Sequence, residues 1–135
     1  MGKVILVTGP SRSGKSEWAE TLAAQSGKAV VYVATATINP SDAEWDKRIQ
    51  KHQNRRPQNW ATLEVPVDLC DTLANAKPNN CLLVDSLGTW VANLIHQEDE
   101  IWEKTVQELL ETVDLVAADM IFVAEETGWC VVPAY

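Results

Sequence analysis

Short apolar runs recur along the chain and predict the strands of a parallel sheet. They lie at residues 3–8, 29–34, 81–85 and 120–124. Strands of a parallel sheet are covered on both faces, so they show unbroken, often β-branched apolar runs instead of an alternation of apolar and polar residues. A weaker β-like stretch lies at residues 62–65. The pattern therefore predicts four buried strands and one further, shorter β segment.

The segments between these runs carry helix signals. Helices are predicted at residues 15–26, 41–54, 67–76, 89–97 and 99–117. Gly27 stands where a left-handed residue ends the first helix, and Ser41 with Glu44 forms a capping box that opens the second. In the last helix the predicted core stripe consists of Trp102, Val106, Leu109, Leu110, Val113 and Val116. The alternation of strands and helices predicts βαβ units and a mainly parallel sheet.

A glycine-rich loop joins the first apolar run to the first predicted helix. It comprises Gly9, Pro10, Ser11, Arg12, Ser13, Gly14, Lys15 and Ser16, which match the phosphate-binding pattern GxxxxGK(S/T). Glycine lets successive backbone N–H groups converge on a polyphosphate, and the helix start adds unpaired amides and the positive end of its dipole. We expect Lys15 to contact the outer phosphates and the Ser16 hydroxyl to bind Mg²⁺. Strand, loop and helix in this order predict an α/β fold of the P-loop NTPase-like, three-layer α/β/α type.

Asp85 is the candidate for a second contact with the metal ion. It ends the apolar run of residues 81–85, and an acidic residue at a strand end often accompanies a phosphate-binding loop. A carboxylate there would orient Mg²⁺ and its water molecules. The alternative is a carboxylate that caps a helix or lies in a loop.

His52 is the candidate for covalent chemistry. It lies on the predicted helix of residues 41–54, with Arg48, Arg55 and Arg56 nearby. The guanidinium groups would favour the neutral, nucleophilic imidazole and neutralise a bound phosphate, as attack on an α-phosphate requires. The alternative is a structural histidine at the rim of the core.

The bulk properties exclude several classes of protein. The chain has 135 residues, which suits a single domain. Its net charge of −8 disfavours binding to nucleic acid or to an anionic membrane surface. No apolar run approaches the length needed to cross a bilayer, so we expect a cytoplasmic protein. The three cysteines have no CxxC spacing and indicate neither a disulfide framework nor a zinc site.

Five motifs in order along the chain together resemble a known family. They are the glycine-rich loop, Tyr32 to Ala36, the stretch from Asp42 to Pro66 that contains His52, the stretch from Leu83 to Leu94, and Glu126 to Pro133. This set of motifs resembles that of the bifunctional adenosylcobinamide kinase/adenosylcobinamide-phosphate guanylyltransferase family of cobalamin biosynthesis.

The resemblance implies two reactions, a set of nucleotide-binding residues and an oligomer. Adenosylcobinamide is phosphorylated by ATP or GTP, and GMP from GTP is then transferred to the product through a guanylylated histidine, which the motif assigns to His52. The implied GTP-binding residues are those of the loop from Gly9 to Ser16 together with Thr35, Ala36, Thr37, Gln53, Asn54, Arg55, Arg56, Glu64 and Asp85. Family members tend to form homo-oligomers, often trimers.

Two features of the chain depart from the family pattern. Family members continue beyond the motif that ends at Pro133, so the resemblance implies that residues 1–135 form one P-loop nucleotide-binding domain without the usual C-terminal portion. Cys130 stands where the family usually has glycine. Two other functions stay open: a simple P-loop small-molecule kinase in which His52 is structural, and a nucleotide-binding remnant without catalysis.

Overall fold

The described residues form a five-stranded parallel sheet. The computed structural model describes residues 2–9, 14–36, 57 and 59–125. The strands are β1 (Val4–Gly9), β2 (Ala29–Ala34), β3 (Ala61–Glu64), β4 (Asn80–Asp85) and β5 (Asp119–Glu125). Their order across the sheet is β1-β5-β4-β2-β3, and each neighbouring pair is parallel. All the carboxyl ends therefore lie at one edge, which we call the carboxyl edge, and all the amino ends lie at the opposite, amino edge.

Helices cover both faces of this sheet. They are α1 (Lys15–Ala24), α2 (Leu69–Ala74), α3 (Leu87–Asn93) and α4 (Asp99–Leu115). Ala19 and Ala23 of α1 pack against one face, in a cluster with Tyr32 of β2 and Leu83 of β4. The other three helices pack on the opposite face, in a second cluster that contains Val33, the neighbour of Tyr32. Successive strand residues point to opposite faces, so each central strand contributes to both cores and the predicted three-layer α/β/α architecture is confirmed.

The predicted elements agree with the structure in number and order among the described residues, and they differ at some boundaries. The β-like stretch at residues 62–65 is strand β3, whose four residues are all exposed. Gly27, after α1, has φ +72°, as its predicted place at the helix end requires. The predicted helix of residues 41–54 lies outside the described residues.

Helix α3 begins and ends earlier than predicted. Its N-cap is Ser86, whose Oγ accepts a hydrogen bond from the backbone N–H of Thr89. The prediction started at Thr89 because it did not include this cap. The predicted stripe of α4 was wrong for Leu110, which is 60% exposed, whereas Leu109 packs against the core. Adjacent helical residues point about 100° apart, so Leu110 lies beside the stripe and not in it.

The outermost strand β1 carries exposed apolar side chains. Val4 and Leu6 of β1 are 42% and 59% exposed. Their neighbours Ile5 and Val7 point to the other face and belong to the core under α1.

None of the helices in the described ranges is long and apolar enough to cross a membrane.

Candidate functional site

The ends of the glycine-rich loop connect β1 to α1. Gly9 is the last residue of β1, and Lys15 is the first residue of α1. Gly14 has φ +82°, in the left-handed region where a side chain would be strained. A Cβ at Gly14 would have its nearest neighbouring atom 3.9 Å away, so there is room for a side chain. Glycine is favoured here by the backbone conformation alone. The middle of the loop, Pro10, Ser11, Arg12 and Ser13, lies outside the described residues.

The first turn of α1 places two polar side chains at the carboxyl edge. Lys15 is buried, with 9% of its surface exposed. The Ser16 hydroxyl donates a hydrogen bond to Asp85 Oδ2, with the two oxygens 3.4 Å apart. The start of α1 and the end of β4 meet because β1 and β4 run in the same direction across the sheet. The fold therefore brings together the two residues that the sequence predicted as ligands of Mg²⁺.

Asp85 receives hydrogen bonds from two hydroxyl groups on the same carboxylate oxygen. Tyr32 Oη donates to Asp85 Oδ2 over 2.7 Å, and Ser16 Oγ donates to the same atom over 3.4 Å. The three side chains come from β2, β4 and α1. Hydroxyl and carboxylate oxygens are the ligands that Mg²⁺ prefers, and this ion often needs only one or two protein groups besides phosphate and water. The donor set therefore fits a magnesium ion beside the start of α1.

Thr35 joins the ends of β2 and β4 beyond their strand pairing. Its hydroxyl donates to the carbonyl oxygen of Ser86 and accepts from the N–H of Ser86, each over 2.8 Å. The N–H of Thr35 also donates to the carbonyl oxygen of Asp85 over 3.1 Å. Thr35 is fully buried. These contacts fix the backbone that carries the Asp85 carboxylate, a role that sequence reasoning missed; contact of Thr35 with a nucleotide stays a prediction.

Asn93 connects two segments that leave the sheet at the carboxyl edge. Its Nδ2 group donates to the carbonyl oxygens of Thr35 and Pro66, over 2.8 and 3.0 Å. Thr35 directly follows β2, and Pro66 is the second residue after the end of β3. Trp90, one turn earlier on α3, donates from Nε1 to the carbonyl oxygen of Val67 over 2.9 Å. Helix α3 thus fixes the exits of both strands.

The remaining predicted residues are divided between described and undescribed parts of the chain. Ala36 follows Thr35 and is half-buried. Glu64 is exposed at the end of β3, where it pairs in register with Ala34, which in turn pairs with Asp85. The predicted residues outside the described ranges are Thr37, His52, Gln53, Asn54, Arg55 and Arg56. The approach of His52 to the glycine-rich loop therefore stays a prediction.

The two cysteines among the described residues are both buried, Cys70 in α2 and Cys81 in β4. Burial, with smaller contributions from Glu108 and Asp71, raises the pKa of the Cys70 thiol to about 11. Burial also raises the pKa of the Cys81 thiol at the second residue of β4. Both thiols are therefore protonated and weakly reactive at neutral pH, in agreement with a structural role.

Comparison of the whole sequence with protein families decides the relationship. A family model described as cobinamide kinase / cobinamide phosphate guanyltransferase matches residues 5–135. The chain belongs to this family. The resemblance inferred from the motifs is confirmed, and the two enzyme classes in the family description are the two that the motifs implied.

Relatives of the cobinamide kinase family match nearly the whole chain. The bifunctional adenosylcobalamin biosynthesis protein CobP of Pseudomonas aeruginosa is 45% identical over 130 residues, which are 95% of this chain and 74% of that protein. The bifunctional adenosylcobalamin biosynthesis protein CobU of Salmonella typhimurium is 34% identical over 146 residues, covering 96% of this chain and 78% of the relative.

A solved structure supports the fold assignment. A RadB recombinase aligns with a TM-score of 0.57 at 20% sequence identity. The alignment covers 96% of this chain and 64% of the recombinase chain. At this identity the likeness concerns the fold alone, and it agrees with the predicted P-loop NTPase-like architecture.

Proposed function

We propose that this chain phosphorylates adenosylcobinamide and then transfers GMP from GTP to adenosylcobinamide phosphate, which yields adenosylcobinamide-GDP. The observation that carries the proposal is the contact between Ser16 and Asp85, 3.4 Å long, at the start of α1 in a chain of this family. A hydroxyl and a carboxylate at the end of a phosphate-binding loop are the groups that a magnesium–nucleotide complex requires.

The nucleoside triphosphate would bind at the carboxyl edge of the sheet. Gly14 adopts the left-handed conformation from which α1 begins, so the unpaired amides of the first helical turn face this edge. Lys15 would neutralise charge on the outer phosphates, and Ser16 with Asp85 would hold Mg²⁺. The bound ion would supply charge neutralisation to the phosphate oxygens.

The kinase step transfers a phosphoryl group to the aminopropanol hydroxyl of adenosylcobinamide. The hydroxyl oxygen bonds to the γ-phosphorus of ATP or GTP, the bond between the β–γ bridging oxygen and the γ-phosphorus breaks, and the hydroxyl proton is released. Lys15 and the amides at the start of α1 would stabilise the charge that develops on the leaving diphosphate.

The guanylyl transfer step proceeds through His52. A ring nitrogen of His52 bonds to the α-phosphorus of GTP, and pyrophosphate leaves with the bridging oxygen. A phosphate oxygen of adenosylcobinamide phosphate then attacks the α-phosphorus, breaks the N–P bond and regenerates the imidazole. Arg55 and Arg56 would neutralise the phosphates during both transfers.

Intact-mass measurement after incubation with GTP and Mg²⁺ tests the covalent step. We expect the mass of one GMP on the protein, labile to acid and stable to base, and no adduct in His52→Ala. The matched control is His96→Ala, because His96 is exposed just after α3 and should be idle; this variant should form the adduct normally. An enzyme that phosphorylates adenosylcobinamide but forms no adduct would instead be a simple P-loop kinase. Binding of GTP without turnover of either kind would indicate a non-catalytic nucleotide-binding protein.

A further inference from the structure

Tyr32 is a buried residue whose hydroxyl group lies beside the proposed magnesium site. The residue is 7% exposed, and its ring packs in the core under α1 with Val30, Leu83 and Ala19. Its hydroxyl donates to Asp85 Oδ2 over 2.7 Å. A phenylalanine would fill the same apolar space, so the hydroxyl group distinguishes this position from an ordinary core residue.

The register of the sheet explains how Tyr32 reaches Asp85. Tyr32 of β2 lies opposite Leu83 of β4, and Ala34 lies opposite Asp85. Leu83 and Asp85 are two residues apart and so point to the same face. Asp85 is the diagonal neighbour of Tyr32, and an aromatic side chain can span the roughly 7–8 Å between such Cα atoms.

The two hydrogen bonds that Asp85 Oδ2 accepts differ in length. The bond from Tyr32 is 2.7 Å and the bond from Ser16 is 3.4 Å, so Tyr32 makes the stronger contact. The plane of an aspartate carboxylate rotates easily about its terminal torsion, and a short bond from a rigid aromatic residue fixes it. Thr35 fixes the backbone of Asp85 at the same time, through its own N–H.

We propose that Tyr32 is a positioning residue that holds the Asp85 carboxylate in the orientation needed to bind Mg²⁺. This inference rests on the proposed role of Asp85 as a magnesium ligand. Tyr32 would hold the carboxylate while the Ser16 oxygen turns from Asp85 to the ion. Outer groups that orient metal ligands in this way have large effects on metal affinity.

The test separates metal-dependent from metal-independent binding of GTP. GTP affinity is measured by calorimetry in EDTA and across a titration of Mg²⁺, and Mn²⁺ binding is followed by electron paramagnetic resonance. Tyr32→Phe should raise the metal concentration needed for half-maximal effect about tenfold. GTP affinity in EDTA should stay within about twofold of the wild type, because the hydroxyl acts on the metal ligand.

A matched control removes another short hydroxyl contact far from the site. Ser26 Oγ donates to the carbonyl oxygen of Ala23 over 2.7 Å, just beyond the opposite end of α1 from Ser16. Ser26→Ala should leave the metal requirement unchanged. In an Asp85→Asn background, Tyr32→Phe should add less than about a twofold change, because the carboxylate through which it acts is gone.

The outcomes distinguish this inference from the proposed function. If Asp85→Asn raises the metal requirement and Tyr32→Phe does not, the positioning role is wrong and the proposed site stands. If Asp85→Asn also has no effect, both the magnesium role of Asp85 and the role of Tyr32 are wrong. An equal loss of GTP affinity with and without metal in Tyr32→Phe would show a purely structural residue and overturn the inference.

Discussion

Two aspartates at opposite ends of neighbouring strands have different surroundings. Asp85 ends β4 at the carboxyl edge, and Asp119 begins β5 at the amino edge. Asp119 Oδ1 accepts from the backbone N–H of Lys3 over 2.9 Å and pairs with Lys28 Nζ at 3.2 Å. Within the described residues, the side-chain partners of Asp85 are the hydroxyl groups of Tyr32 and Ser16.

This difference distinguishes a structural carboxylate, Asp119, from one that is suited to bind a cation, Asp85. A lysine ammonium group compensates the charge of Asp119, so this aspartate serves to join β1, β5 and the segment after α1. Hydroxyl groups orient the Asp85 carboxylate but carry no charge of their own. Asp85 therefore combines a fixed geometry with a negative charge that a cation can neutralise, which is the combination that a magnesium ligand needs.

The largest expected effect follows exchange of Asp85 for asparagine, with the same exchange at Asp119 as the control. Asp85→Asn should reduce phosphorylation of adenosylcobinamide on the order of 100-fold or more, because the magnesium ion proposed to bind there would stabilise the transferring phosphoryl group by several kcal/mol. Asp119→Asn, the matched variant at the other edge, should retain the wild-type rate. The measurement is the initial rate at saturating nucleotide and Mg²⁺, with circular dichroism as the check on folding. Similar rates for both variants would contradict the assignment of a metal-binding role to Asp85 and a structural role to Asp119.

The apolar runs and the glycine-rich loop allowed much of the fold to be predicted. Strands β1, β2, β4 and β5 are short apolar segments, and the loop pattern predicted the junction of β1 with α1. Asp85 was recognisable because an acidic residue directly follows a buried run. These features are local in the sequence, so no knowledge of the tertiary structure was needed.

The contacts of the site that were missed connect residues far apart in the chain. Tyr32 and Asp85 are separated by 53 positions, and Thr35 and Asn93 by 58. These contacts depend on the order of the strands and on the register of β2 with β4, and apolar periodicity specifies neither. Tyr32 appeared as an ordinary member of a buried run, since an aromatic residue is as typical of a strand core as of a site.

A smaller effect should follow loss of the Thr35 hydroxyl. Thr35→Val keeps the shape of the side chain but leaves the N–H and the carbonyl oxygen of Ser86 without their buried partner. We expect the free energy of unfolding to fall by about 2 kcal/mol or more, as measured by urea titration. The control is Thr112→Val on α4, where the lost bond to the carbonyl oxygen of Glu108 is exposed. That variant should change the unfolding free energy by less than about 0.5 kcal/mol. Equal losses in the two variants would show that the buried contacts of the Thr35 hydroxyl stabilise the protein no more than an exposed hydrogen bond does.

The smallest effect concerns Asp119 and depends on pH. The N–H of Lys3, with help from Lys28, holds the pKa of the Asp119 carboxyl below its ordinary value of 3.8. A carboxyl with a lowered pKa in the folded state stabilises the protein above its unfolded pKa, and this contribution is lost as the pH falls through the folded value.

The predicted loss of stability in Asp119→Asn is therefore greatest near neutral pH. The ion pair is partly exposed, with 31% of the Lys28 side chain and 19% of the Asp119 side chain accessible, so solvent and salt weaken it. We expect Asp119→Asn to lower the free energy of unfolding by about 1 kcal/mol at neutral pH. The difference from the wild type should shrink as the pH falls below 3.8, and it should also decrease in high salt. A difference that is constant with pH would mean that the bond geometry of Asp119, and not its charge, stabilises the amino edge.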